Sequence, residues 1–163
     1  GTAMHLALQY LDFSSPADEG QLRAQLERLR TQRKLTDEQT EAVDVPALVR
    51  FLQSPLAARI RAGKGVEREY RFSLLRPARD FAAVDSDDAV LLQGVVDCFF
   101  EEDGALVVVD FKTDRITRAE VDERAERYRP QLEAYSLALS RVMEKPVKER
   151  VLYFFAVGEE ARI

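Results

Sequence analysis

At 163 residues, with 46% hydrophobic and 33% charged side chains, the chain is the size of one globular domain with its own core, and a disordered tail is excluded. Its single cysteine, Cys98, rules out an internal disulfide and any multi-cysteine zinc or iron–sulfur site, and no run approaches the ~20 apolar residues that cross a bilayer. The net charge of −5 argues against coating nucleic acid by bulk electrostatics.

The first 65 residues read as mainly helical. Leu6, Tyr10 and Phe13 mark a short amphipathic helix, and Ser15 followed by Pro16 reads as the N-cap and first turn of the next, striped by Leu22, Leu26 and Leu29. Thr36 with Gln39 forms a capping box. Pro46 opens a helix through Leu52, and Ser54-Pro55 starts another that Gly63 stops.

From residue 66 onward the period changes to that of a sheet-and-helix core within the same domain. Glu69 to Leu75, Val90 to Phe100 and Leu106 to Lys112 read as strands, the last two joined by a tight turn at Glu102-Asp103-Gly104. Thr117 with Glu120 is a second capping box, for a helix toward Arg129 that Pro130 interrupts or restarts. Leu132, Tyr135, Leu139 and Val142 carry a helix to about Met143. Lys148 to Val157 reads as a final strand, reached by a helical crossover and so parallel to the strand before that helix. The expected fold class is α/β.

Charge is unevenly spread. Arg50, Arg59, Arg61, Lys64, Arg68 and Arg71 face only Glu67 and Glu69 in their stretch, whereas Asp85 to Asp103 holds seven acids and no base. A basic face beside a carboxylate-rich strand pair suits a metal-assisted site acting on an anionic substrate, and two solvated surfaces would read the same way.

The chemistry concentrates in Gly94-Val95-Val96-Asp97 and Val109-Asp110-Phe111-Lys112-Thr113-Asp114. A carboxylate among Val95, Val96, Cys98 and Phe99 needs a partner to offset its desolvation. Asp110 and Lys112, two apart, share a strand face, and folding the hairpin at Gly104 brings Asp97 toward Asp110. Two carboxylates for a hard cation with an ammonium beside them suit phosphodiester hydrolysis. The plainer alternative is a buried Asp97–Lys112 ion pair with Asp110 capping the strand.

These segments, followed by Tyr128, Gln131 and Tyr135 and preceded by Gly1-Thr2-Ala3-Met4-His5 and Glu69-Tyr70-Arg71-Phe72, resemble the PD-(D/E)XK nuclease superfamily. Specifically, they resemble the RecB-like nuclease domain at the C-terminus of AddA-type helicase–nuclease subunits, over nearly the whole chain. The resemblance implies a restriction-endonuclease-like fold: a mixed central sheet flanked by helices, with a helical N-terminal portion. It implies Mg²⁺, with Mn²⁺ also suitable, held by His5, Asp97, Asp110 and the carbonyl of Phe111. Asp97, Asp110 and Lys112 would be catalytic; Gln131 and Tyr135 would contact the DNA backbone or the lysine, with Tyr128 on their helical face and Glu69 beside the site.

The resemblance further implies in-line attack leaving a 5′-phosphate and a 3′-hydroxyl, on single strands supplied by a helicase region of the same polypeptide. A role in double-strand-break repair by homologous recombination and an AddB-like partner subunit come with it, in the cytoplasm and without a membrane. The opening residues, with no initiator at position 1, read as an excised piece of something longer. The rival reading is a catalytically silent DNA-end-binding or docking module of the same fold, which would lack one of the acid, acid–x–lysine or histidine positions.

Overall fold

A computed structural model describes residues 1–80 and 85–163. Five helices come first: α1 (Thr2–Tyr10), α2 (Glu19–Thr31), α3 (Asp37–Ala42), α4 (Val45–Leu52) and α5 (Pro55–Ala62). Strands β1 (Lys64–Pro77), β2 (Ala89–Glu102) and β3 (Ala105–Lys112) follow, then α6 (Val121–Met143), β4 (Val147–Phe154) and β5 (Glu159–Arg162). The sheet order is β1-β2-β3-β4-β5, antiparallel throughout except for the parallel β3–β4 pair. The fold is therefore α/β with a mixed sheet, and α6 makes the crossover that a parallel pair requires.

The central strands are apolar on both faces because both faces are covered. Val107, Val109 and Phe111 of β3 pack with Leu8, Leu48, Phe51 and Tyr153 beneath α1–α5. Leu106 and Val108 pack with Leu132, Leu139, Leu152 and Phe154 beneath α6. The β2–β3 connection is the two-residue turn Asp103-Gly104 with φ of 53° and 78°, the left-handed pair that matches strand twist. Among the described residues no helix is long and apolar enough to cross a membrane.

Several element boundaries differ from the sequence expectation. The first helix ends at Tyr10, and Phe13 is buried in the loop after it. Asp18, not Ser15, caps α2: its side chain accepts the Gln21 N–H while the Gln21 side chain accepts the Asp18 N–H, a reciprocal pair that Ser15 lacks. Pro130 neither stops nor restarts α6, which runs unbroken through it. One lost backbone bond is outweighed by the burial of Val121, Ala125, Leu132 and Leu139 on either side. The Thr117–Glu120 box opens a single 3-10 turn that feeds into α6. The last strand ends at Phe154, and a turn through Gly158 (φ 64°) returns the chain as β5, too short and too charged to show a strand pattern in the sequence.

Candidate active site

The β2–β3 ladder pairs Cys98 with Val109 and stops there. At the next position the Asp97 side chain takes over, its Oδ2 accepting the Phe111 N–H at 2.8 Å. On the other edge of β2, pairing with β1 skips Asp97 and Glu69, and Glu69 adopts φ 51°. A left-handed non-glycine residue costs ~1–2 kcal/mol, and here it coincides with an exchange of strand faces. Cys98 and Phe100 lie under α1–α5, whereas Val96 and Phe72 lie under α6. Asp97 sits at that crossing point, open to groups arriving from both layers.

His5 arrives from α1. Its Nε2 is 2.9 Å from the Phe111 carbonyl and 3.3 Å from Asp97 Oδ2, and its Nδ1 is 3.0 Å from the Gly1 carbonyl. The Asp97 hydrogen bond, with help from the Gly1 carbonyl and against partial burial, holds the imidazole up to about 9. At neutral pH both ring N–H groups therefore donate. Burial opposes ionisation of Asp97, but bonds from His5, Asp110 and the Phe111 N–H together bring its carboxyl below the ordinary range.

Asp110 and Lys112 project from the same face of β3, with Lys112 Nζ 2.7 Å from Asp110 Oδ2. Burial, then the adjoining Asp97, pushes the Asp110 carboxyl up to about 7, with Lys112 pulling the other way. The two carboxyls hydrogen-bond each other, so the pair shares a proton. The pairing of Asp97 with Lys112 that spacing also allowed does not form: His5 and the Phe111 N–H hold Asp97, and Asp110 holds Lys112.

Lys112 also lies over the Tyr128 ring, 3.8 Å from its centroid. The Tyr128 hydroxyl donates to Asp114 Oδ2 at 2.7 Å, and Arg124 Nη1 reaches the same oxygen at 2.6 Å. Partial burial and the Asp114 bond push the phenol up to about 12, so it remains a donor. Asp114 thus fastens the residue that carries the lysine. Motif spacing assigns Asp114 no such role; the signal that points to it is Arg124 with Tyr128, four apart on one helical face and both requiring an acceptor.

Gln131 is exposed, Tyr135 is half-buried, and both line a narrow crevice with Asp97, Asp110, Val95 and Leu132. Neither touches Lys112; that contact belongs to Tyr128. Tyr135 packs edge-on against Phe72 at 5.2 Å, over Gly94. Glu69 lines a cleft of about 320 Å³ with His5, Gln9, Val95 and Asp97.

The basic stretch before these strands does not form a basic face. Arg50, Arg61 and Arg68 donate to the carbonyls of Phe155, Leu52 and Leu8, and Arg59 is held by Glu102 and Glu149. Among the described residues, Lys64 and Arg71 are left without a carboxylate partner. The acidic stretch is likewise partnered in part, Glu101 by Lys145 and Glu102 by Arg59 and Lys148.

The donor set fits a hard divalent cation. Two carboxylates, a backbone carbonyl and an imidazole suit Mg²⁺ or Mn²⁺, and the protons on His5 Nε2 and between the two acids occupy positions a cation would compete for. Among the described residues no three His, Cys, Asp or Glu side chains form a metal cage by themselves, so the Phe111 carbonyl is integral to the set.

A family model described as the PD-(D/E)XK nuclease superfamily matches residues 1–162. Among curated proteins, the chain is 38% identical over 163 residues to the A subunit of the ATP-dependent helicase/nuclease from Acetivibrio thermocellus, covering 97% of this chain and 13% of that protein. The protein of the same name from Bacillus cereus is 37% identical over 166 residues, with 95% and 13% covered. That from Alkaliphilus oremlandii is 32% identical over 166 residues, with 100% and 14% covered. The chain therefore spans about one seventh of the length of these relatives.

Proposed function

Because the chain belongs to the PD-(D/E)XK nuclease superfamily, we propose that it is a single metal-dependent nuclease domain that hydrolyses phosphodiester bonds of single-stranded DNA, residues 1–65 bracing a catalytic core of 66–163. The observation that carries this reading is the convergence of His5, Asp97, Asp110 and the Phe111 carbonyl, with the Lys112 ammonium 2.7 Å from Asp110.

His5 Nε2, the Asp97 and Asp110 carboxylates and the Phe111 carbonyl would hold Mg²⁺, or Mn²⁺ in its place. A divalent cation there would neutralise phosphate charge and acidify water for in-line attack. Lys112, kept desolvated against Tyr128, orients that water or meets the charge that develops on the phosphate. Asp110, titrating near neutrality as part of the acid pair, surrenders its proton as the cation binds. Gln131, at the mouth of the crevice, supplies an amide to the DNA backbone. Glu69 and Tyr135 frame the opening from the two sides.

The names of the relatives support a larger setting: a helicase region in the same polypeptide that feeds single strands to this domain, a partner subunit of the AddB kind, and a role in double-strand-break repair by homologous recombination in the cytoplasm. Asp110→Ala and Lys112→Ala are expected to abolish Mg²⁺-dependent cleavage of single-stranded DNA while leaving the circular dichroism spectrum and melting cooperativity unchanged. Cleavage by both variants at the parent rate would refute the assignment.

A further inference from the structure

Beyond Val96, β2 no longer pairs with β3, so residues 89–96 and their β1 partners 70–77 form a two-stranded arm extending past the sheet. The arm has two unlike faces. Phe72, Leu74, Leu92 and Val96 pack beneath α6, and Gly94 is so close to Tyr135 that an added Cβ would lie 2.6 Å from its ring. The other face, carrying Arg71, Ser73 and Leu75 beside Leu91, Gln93 and Val95, is exposed at every position.

That bare face is a continuation of the acid site. A shallow groove of about 560 Å³ runs over Arg71, Ser73, Gln93 and Val95, and Val95 also lines the cleft that holds His5 and Asp97. Arg71 pairs in register with Val95, and Ser73 with Gln93. One cation, one amide and one hydroxyl therefore follow one another outward from the metal donors. Arg71 has no carboxylate within ion-pair distance among the described residues, unlike Arg59, Arg76 and Arg79.

We propose that this open face is the track along which a DNA strand lies as it reaches the site, with Arg71 on a phosphate, Gln93 and Ser73 on the backbone or base edges, and Val95 supporting the nucleotide next to the reacting bond. The proposal rests on the nuclease reading and adds where the substrate binds. Asp97 and Gln93 are four residues apart, ~13 Å along a strand, longer than a single nucleotide repeat of ~3.4 Å. The track therefore serves an oligonucleotide and not a mononucleotide. The exposed Leu75 and Leu91 offer apolar surface for bases at the outer end, and the acids Asp85, Asp87 and Asp88 beyond them turn a polyanion away from the tip.

The test uses the purified chain and fluorescein-labelled oligothymidylates of 4 and 20 nucleotides in EDTA at low salt, followed by anisotropy. The parent should bind the 20-mer at about micromolar Kd. Arg71→Ala should weaken that at least fivefold and make the slope of log Kd against log salt shallower by ~0.7; Arg71→Lys should restore the slope, and Gln93→Ala should weaken binding without altering it. In the presence of Mg²⁺, Arg71→Ala should raise KM for the 20-mer with kcat unchanged, and leave hydrolysis of the p-nitrophenyl ester of thymidine 5′-monophosphate as in the parent. Absence of binding by the parent, or equal binding by Arg71→Ala, overturns the track. Failure of the parent to cleave either substrate overturns the nuclease reading instead, and the anisotropy result stands independently of it.

Discussion

The Lys112 ammonium is held between a carboxylate and an aromatic face, 2.7 Å from Asp110 Oδ2 and 3.8 Å from the centroid of the Tyr128 ring. The ion pair supplies charge and the ring supplies direction, because a four-carbon side chain with rotatable donors does not select one orientation by itself. Asp114 fixes the ring in turn through the Tyr128 hydroxyl.

Replacing that ring separates the two contributions. A cation–π contact of this kind is worth ~1 kcal/mol or more when desolvated, so Tyr128→Leu should lower kcat on single-stranded DNA by about fivefold to thirtyfold. Tyr128→Phe keeps the ring and loses only the bond to Asp114, and should lose less. Equal losses in the two variants, measured by steady-state kinetics, would assign the effect to the hydroxyl.

His5 connects the first helix to the acid pair across 106 residues of sequence. If Nε2 is a ligand, His5→Ala should weaken Mn²⁺ binding at least as much as losing a partner outside the ligand shell does, about 10–100-fold. Isothermal titration calorimetry reads this without any substrate, and an unchanged Mn²⁺ affinity would remove His5 from the donor set.

Gly94 is where the arm and α6 meet most closely. A Cβ there would approach the Tyr135 ring to 2.6 Å, against backbone on one side and a packed ring on the other, so Gly94→Ala should cost ~1–3 kcal/mol. The same substitution in a Tyr135→Ala background should cost much less. A double-mutant cycle by thermal or urea denaturation reports the coupling, and additive losses would show that the ring is not what excludes the methyl group.

Arg59 governs acid stability at the opposite end of the sheet. It pairs with Glu102 and Glu149, and its hydrogen bonds, with those of Lys148, hold the Glu102 carboxyl down at about 2, while Glu149 is also lowered. A carboxylate whose folded pKa lies below its unfolded value adds stability that is complete above about pH 4.5 and is lost as pH falls toward 2. The melting temperature of the parent should therefore drop through that window. Arg59→Met should lower stability at pH 7 and flatten the acid limb, because protonating the glutamates then breaks no bond to Arg59. The groups are partly exposed, so added salt should shrink the difference.

How much of this is legible in the sequence follows from the range of the forces involved. Strands β2 and β3 and the Asp103-Gly104 turn are written locally, in β-branched runs and in the two residues that tolerate positive φ. The capping boxes at Thr36 and Thr117 are equally local. Ser15-Pro16 and Asp18 both carry capping signals, and only the Gln21 side chain decides between them in favour of Asp18. Pro130 misleads for the opposite reason: the apolar contacts that keep α6 whole come from the sheet, not from the helix. The basic stretch misleads because charge is visible in a sequence and the carbonyls that absorb it are not.

By itself, the sequence determined the α/β order of elements, the shared face of Asp110 and Lys112, and the resemblance that grouped His5, Asp97 and Gln131 with them, because strand periodicity and motif order are properties of neighbours along the chain. Tertiary structure alone decided that Asp97 bonds His5 rather than Lys112, that Tyr128 carries the lysine on an anchor made by Asp114, and that one face of the β1–β2 arm stays bare beside the acids. Those outcomes depend on which layer covers which face, and that is settled only when helices from one end of the chain and α6 from the other close on the same sheet.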